Sequence, residues 1–191
     1  EISMLALNNA MEEGKDIFLV TQRELSVMRP EEEDLYTIGT VAHVLQIIKT
    51  SDSSVRVVVR GTGKGRINRL WQNRPFLQAN VELLEDDFPG RMTARVEAVM
   101  RQTYAIFGEY KEMVPDLPDD VVTAVLDCTD PGKLADFIGY SINLRYTDRQ
   151  RILEELHPVK RLKLVNEILT HELDVISLEV EMERKVRDRV G

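Results

Sequence analysis

Four groups of residues have types and spacings suited to chemistry, and each can be tested against what that chemistry requires. Gly61-Thr-Gly-Lys-Gly has the composition of a phosphate cradle. A nucleotide loop needs a helix to follow, so that its first amides and its dipole meet the phosphate. Here Pro75 and strand-forming residues follow, and the pattern of a glycine, four residues, then Gly-Lys-Ser/Thr is absent. The stretch reads instead as a glycine-rich bulge or turn that lets strands bend. His171-Glu172 opens like a zinc-protease helix, but Val175 stands where the second histidine ligand belongs. His43 and His157 lack companions at ligand spacing, so all three histidines read as surface or capping residues. Cys128 has no histidine near it in sequence and reads as a buried, inert thiol. No serine lies in a Gly-x-Ser-x-Gly elbow, and the four acids Glu31 to Asp34 read as a solvated loop rather than a metal site. No catalytic, cofactor-binding or metal residue is expected.

What remains is a surface for binding. Arg60, Lys64, Arg66, Arg69 and Arg74 form a basic run with no acid between Asp52 and Glu82, and the lone tryptophan, Trp71, lies inside it. Such a run suits either a nucleic-acid face or a plain solvated rim. Trp71, Phe76 and Leu77 are the candidate substrate-binding residues. Trp71 is either a core anchor or part of an apolar groove for extended polypeptide.

Composition narrows the partners. The 191 residues are 43% hydrophobic and 30% charged, which is ordinary for a folded protein. A net charge of −8 argues against general nucleic-acid binding, which needs a basic face. A single cysteine excludes an intrachain disulfide framework and fits a reducing compartment. No apolar run approaches the 18 to 20 residues that cross a bilayer, so a soluble chain with no membrane partner is expected.

The elements that must position these residues fall into two regimes. An opening helix through Glu13 ends at Gly14, a left-handed cap. Asp16 to Gln22 reads as a buried strand. Leu35 to Thr50 and Val55 to Arg60 read as strands joined by the turn residues Ser51-Asp-Ser-Ser, and Phe76 to Leu84 alternates Leu77, Ala79, Val81 and Leu83 on one face. After Asp86-Asp-Phe-Pro-Gly the spacing is helical. Arg91 to Met113 forms one helix with Val96, Val99, Met100, Tyr104 and Phe107 inward; a second follows Pro118-Asp-Asp, and a third starts at Pro131 behind Asp130. Thr147-Asp-Arg-Gln fits a capping box opening a short helix that stops at His157-Pro158. From Val159 to Val190 no proline or glycine intervenes, and Leu162, Val165, Ile168, Leu169, Leu173, Ile176 and Val180 share one face. About 32 helical residues reach roughly 48 Å, so the far, highly charged end should project. The expected fold is α+β: a small bent sheet over residues 1–88, then a helical bundle over 89–191 ending in a long projecting helix.

A family resemblance rests on an ordered set of segments. Asp130-Pro-Gly-Lys-Leu-Ala-Asp-Phe-Ile-Gly, Gln150-Arg-Ile-Leu-Glu, Arg161-Leu-Lys-Leu-Val-Asn-Glu-Ile-Leu and Glu172-Leu-Asp-Val-Ile-Ser-Leu-Glu resemble the amino-terminal region of ATP-dependent Lon proteases. Upstream, Gly39-Thr-Val-Ala, Val59-Arg-Gly running to Arg66-Ile67, and Pro75-Phe with Val81-Glu are similar to that family's substrate-binding domain. The resemblance implies a PUA-like β lobe, with an apolar first strand ahead of Glu1. It implies a non-catalytic, regulatory domain that recognises unfolded or damaged proteins in cytoplasmic quality control. These would pass to an ATPase ring and protease chamber of the same chain, in a homo-hexamer using ATP and Mg. The ATPase motifs and the serine-lysine pair have no matching positions here. The alternative is a stand-alone β-domain adaptor or weak nucleic-acid binder.

Overall fold

A computed structural model describes residues 2–87 and 90–190. The chain divides into two compact units, Glu1–Glu85 and Asp86–Gly191. The boundary expected between residues 88 and 89 lies outside the described residues. The class is α+β, a four-stranded antiparallel sheet in the first unit and a helical bundle in the second.

In the first unit, α1 (Ile2–Glu13) ends at Gly14, whose φ of 64° is the left-handed conformation that glycine adopts without steric cost. The sheet runs β1 (Ile17–Leu19), β2 (Ile38–Lys49), β3 (Val55–Gln72) and β4 (Gln78–Leu84), each pairing with its sequence neighbour. β1 is a half-buried edge strand rather than the buried one expected, and Leu19 faces solvent. It is an edge because it pairs only with Thr40 to Ala42 of β2. β3 runs unbroken through the glycine stretch. Val41 pairs with Gly63 and Ala42 with Gly61, so Thr62 is the extra residue of a bulge and its hydroxyl donates to the Val41 carbonyl. The glycines also admit a close neighbour. A Cβ on Gly39 would stand 2.2 Å from the Leu19 carbonyl oxygen, and one on Gly65 would stand 2.4 Å from Val81 Cγ1, with the Phe18 ring close to both. On β4 the expected alternation ends early, because Leu83 is 70% exposed while Leu84 is half-buried.

The second unit comprises α2 (Ala94–Met113), α3 (Asp119–Asp127), α4 (Pro131–Ser141), α5 (Tyr146–Glu154) and α6 (Pro158–Val190). Its core holds Val96, Val99, Met100 and Phe107 of α2, Leu134, Ala135 and Ile138 of α4, and Leu162, Val165, Ile168, Leu169 and Leu173 of α6. Local signals fix two starts: Thr93 Oγ1 accepts from Val96 N at the head of α2, and Asp130 Oδ1 accepts from Lys133 N at 2.8 Å with Pro131 at the first turn of α4. Helix α5 departs from the sequence reading. It begins at Tyr146 with Arg145 as the preceding cap residue, and Thr147 makes no capping box. Gln150 donates forward to Glu154, while the buried Asp148 meets the guanidinium groups of Arg145 and Arg151. On α6 the packed stripe reaches Ile176 but not Val180, which is 55% exposed. Leu178, Met182, Val186 and Val190 are exposed with it.

Candidate functional site

Trp71 stands near the end of β3 and is 53% exposed, so it is no core anchor. With Leu70, Gln72, Asn73, Glu31 and Glu32 it lines a concavity of about 350 Å³ within the sheet unit. The two strands and their connection place the indole: Gln72 Nε2 donates to the Phe76 carbonyl at 3.1 Å and closes the β3–β4 hairpin around the cis Arg74–Pro75 bond. A 3-10 turn over Glu32–Asp34 places the acids, and Glu31 just ahead of it donates its N–H to Asp34 Oδ2 at 2.8 Å. Glu31 and Glu32 have no ion pair among the described residues.

Beside Trp71 and Leu70, the lining of this hollow is polar: Glu31, Glu32, Gln72 and Asn73. Phe76 and Leu77 are half-buried and lie outside this concavity's lining. The structure thus brings Trp71 to a hollow that it shares with two acids read from sequence as a solvated loop, while Phe76 and Leu77 stay in the adjoining β3–β4 hairpin. Nothing local in the sequence signals that meeting, because the turn and the strand end are far apart along the chain.

The basic run follows β3 and the hairpin beyond it. Arg60, Arg69 and Arg74 are exposed, Lys64 is half-buried, and Arg66 lies 3.8 Å from Glu82 on the neighbouring strand. His43 Nδ1 lies 3.1 Å from Asp16 Oδ1, His157 Nδ1 accepts from Lys160 N at the head of α6, and His171 is exposed. Cys128 caps the end of α3 with its thiol half-buried. Among the described residues no group of three or more His, Cys, Asp or Glu could hold a metal ion, and no helix is long and apolar enough to cross a membrane.

Titrating groups with clear shifts stand elsewhere. At the β2–β3 turn, the Ser54 and Thr50 hydroxyls bonded to Asp52 hold its carboxyl down to about 2. Burial raises Tyr104 and Tyr110, with Cys128 and Glu172 adding to the respective shifts. None of these groups lines the concavity. The chain is thus an α+β protein whose sheet unit carries an exposed indole beside two acids and is joined in sequence to a helical bundle.

Comparison with known proteins gives the family. The model of the "ATP-dependent protease La (LON) substrate-binding domain" matches residues 1–171. Lon protease of Syntrophomonas wolfei is 38% identical over 188 residues, covering 98% of this chain and 22% of the relative. Lon protease of Desulforamulus reducens is 35% identical over 190 residues, covering 100% and 23%. The chain therefore spans under a quarter of the length of these relatives. In fold it is similar to the N-terminal domain of Mycobacterium avium complex Lon protease, with TM-score 0.60 and 17% identity over 81% of this chain and 90% of that one. It is likewise similar to the Lon N-terminal domain protein from Xanthomonas campestris, with TM-score 0.55 and 14% identity over 84% and 79%. The chain belongs to the Lon substrate-binding domain family.

Proposed function

We propose that this chain recognises unfolded or damaged polypeptide and hands it to the ATPase ring and serine protease chamber of a longer Lon chain, assembled as a cytoplasmic hexamer. The observation that carries this reading is the family match over residues 1–171 to a substrate-binding domain. The chain's part is binding without chemistry. ATP and Mg would serve other parts of the longer chain; Gly61 to Gly65 lies inside a strand rather than ahead of a helix whose first amides would meet a phosphate. Recognition rests on apolar side chains left in solvent on the sheet unit: Leu25 is 65% exposed, Met28 90% and Trp71 53%. An unfolded chain presents apolar segments that its folded form hides, and these surfaces give it somewhere to bind.

The test compares binding of one client protein, folded and chemically unfolded, to the purified chain by anisotropy. The unfolded form should bind at least about tenfold more tightly, a difference of about 1.4 kcal/mol. Trp71→Ala should weaken it severalfold without changing the melting temperature, since the indole is mostly outside the core. Equal affinity for both forms would remove the substrate-binding reading.

A further inference from the structure

We propose that the hollow under Trp71 is a subsite for one basic side chain of the bound polypeptide, an arginine above all. This rests on the substrate-binding reading and names what one part of that surface selects. At about 350 Å³ the hollow is at the small end of ligand sites, room for one side chain rather than a folded segment. Its walls are of two kinds. Trp71 and Leu70 offer apolar surface, and the indole face attracts a cation; Glu31 and Glu32 bring two carboxylates that have no ion pair among the described residues. A guanidinium on its three-carbon stem matches both. The stem covers the indole that water now touches, the planar head stacks on it, and the fork of N–H donors meets a carboxylate in bidentate fashion. A lysine ammonium satisfies the charge without the stacking and ranks second. A neutral or acidic side chain leaves the carboxylates with no counter-charge, so the subsite sets the register of an extended client by its basic residues.

The test uses two short unstructured peptides of apolar residues, alike except for a central arginine in one and its neutral isostere citrulline in the other. Affinity is read by anisotropy of the labelled peptide, and occupancy of the hollow by emission of Trp71, the chain's single tryptophan. The arginine peptide should bind about fivefold more tightly and shift Trp71 emission. A Glu31→Gln/Glu32→Gln variant that melts as the parent does should close the gap. Equal affinity of the two peptides, or a gap that survives the double substitution, overturns the subsite while the substrate-binding reading stands if unfolded client still binds. If neither peptide nor unfolded client binds, both fall. A concentration-dependent dimer that the double substitution dissolves also overturns it, giving the hollow to an arginine of a second copy.

Discussion

Arg161 has no solvent-exposed side-chain surface, and its guanidinium grips Asp86, 75 residues earlier in the chain, through contacts of 3.1, 3.3 and 2.7 Å. Asp136 of α4 adds a weaker contact, Oδ1 to Arg161 Nε at 3.4 Å. The pair ties the first residue of the helical unit to α6, and the Asp87 amide donating to the Leu156 carbonyl at 2.9 Å fastens the same segment again.

Removing one partner of a buried ion pair costs more than the pair contributes, because the other charge stays desolvated. Asp86→Ala should therefore lower the stability of the helical unit by about 3 kcal/mol in urea, read by helical circular dichroism. Asp136→Ala removes a single 3.4 Å contact and leaves Asp86 on the guanidinium, so it should cost about 1 kcal/mol or less. Arg161→Met, which keeps the stem and removes the charge, should fall between them. Equal losses for the two aspartates would mean that Asp86 is not the principal partner.

The Arg161 contact also marks where the sequence stops being legible. The period of α6 and the cap of α4 are local matters of spacing and hydrogen bonding, and both are as the sequence reads them. A periodic pattern assigns polar residues outward by default, yet Arg161 and Asn166 are buried beside Leu162 and Val165. Tertiary partners, Asp86 first and Asp136 second, make Arg161 tolerable there. Thr147 fails for a related reason: its motif is right, but Asp148 is drawn into the core edge by Arg145 and Arg151, and the helix starts earlier. In the site, Trp71 could be picked out by type, whereas its exposure and its acidic neighbours depend on how the sheet unit closes.

Gly39 and Gly63 give a paired test of the sheet. A methyl at Gly39 would meet the backbone oxygen of Leu19 at 2.2 Å, an atom that cannot move without shifting the strand. Gly39→Ala should destabilise the sheet unit by about 1 to 3 kcal/mol through overpacking. Gly63 has nothing within 4 Å of its ideal Cβ, so Gly63→Ala should be neutral or stabilising by up to about 1 kcal/mol, since it restricts the unfolded chain. The check is the Trp71 emission midpoint in denaturant, and a large loss at Gly63 would show that the bulge needs glycine for its backbone alone.

Asp52 predicts an acid response confined to the β2–β3 turn. Its Oδ1 accepts from the Ser54 hydroxyl at 2.6 Å and the Ser54 amide at 3.1 Å, and from the Thr50 hydroxyl. These bonds depress the folded carboxyl to about 2 from 3.8. A depressed acid stabilises the fold above its unfolded value and loses that contribution as pH falls toward the folded value, so the turn should loosen between about pH 4 and 2. The protection of the Ser54 amide, taken against its intrinsic exchange at each pH, should fall in that window in the parent. Asp52→Asn should exchange faster throughout, with no step between pH 4 and 2; a step that persists assigns the titration to another carboxyl.

Helix α6 divides at the point where its packing ends, and proline substitution on either side of that point separates core from extension. Ile168 is 5% exposed and packs in the bundle, whereas Val186 is 63% exposed in a segment whose exposed apolar side chains are Leu178, Val180, Met182, Val186 and Val190. Proline within a helix removes a hydrogen bond and clashes with the preceding turn, costing about 3 kcal/mol or more. At Ile168 that cost falls on the whole bundle and should unfold the helical unit. At Val186 the loss is capped, because helix beyond its tertiary contacts is marginal in water and the last turns can fray instead. The melting temperature of Val186→Pro should therefore stay within a degree or two of the parent, while its helical signal drops by a few residues' worth. In a full-length Lon chain the same substitution should slow degradation of an unfolded client, if this end of α6 connects recognition to the ring. A pair of thermal melts and one degradation assay decide it. A Val186→Pro variant that melts as low as Ile168→Pro places the end of α6 in the core, and a variant that degrades client at the parent rate removes its coupling role.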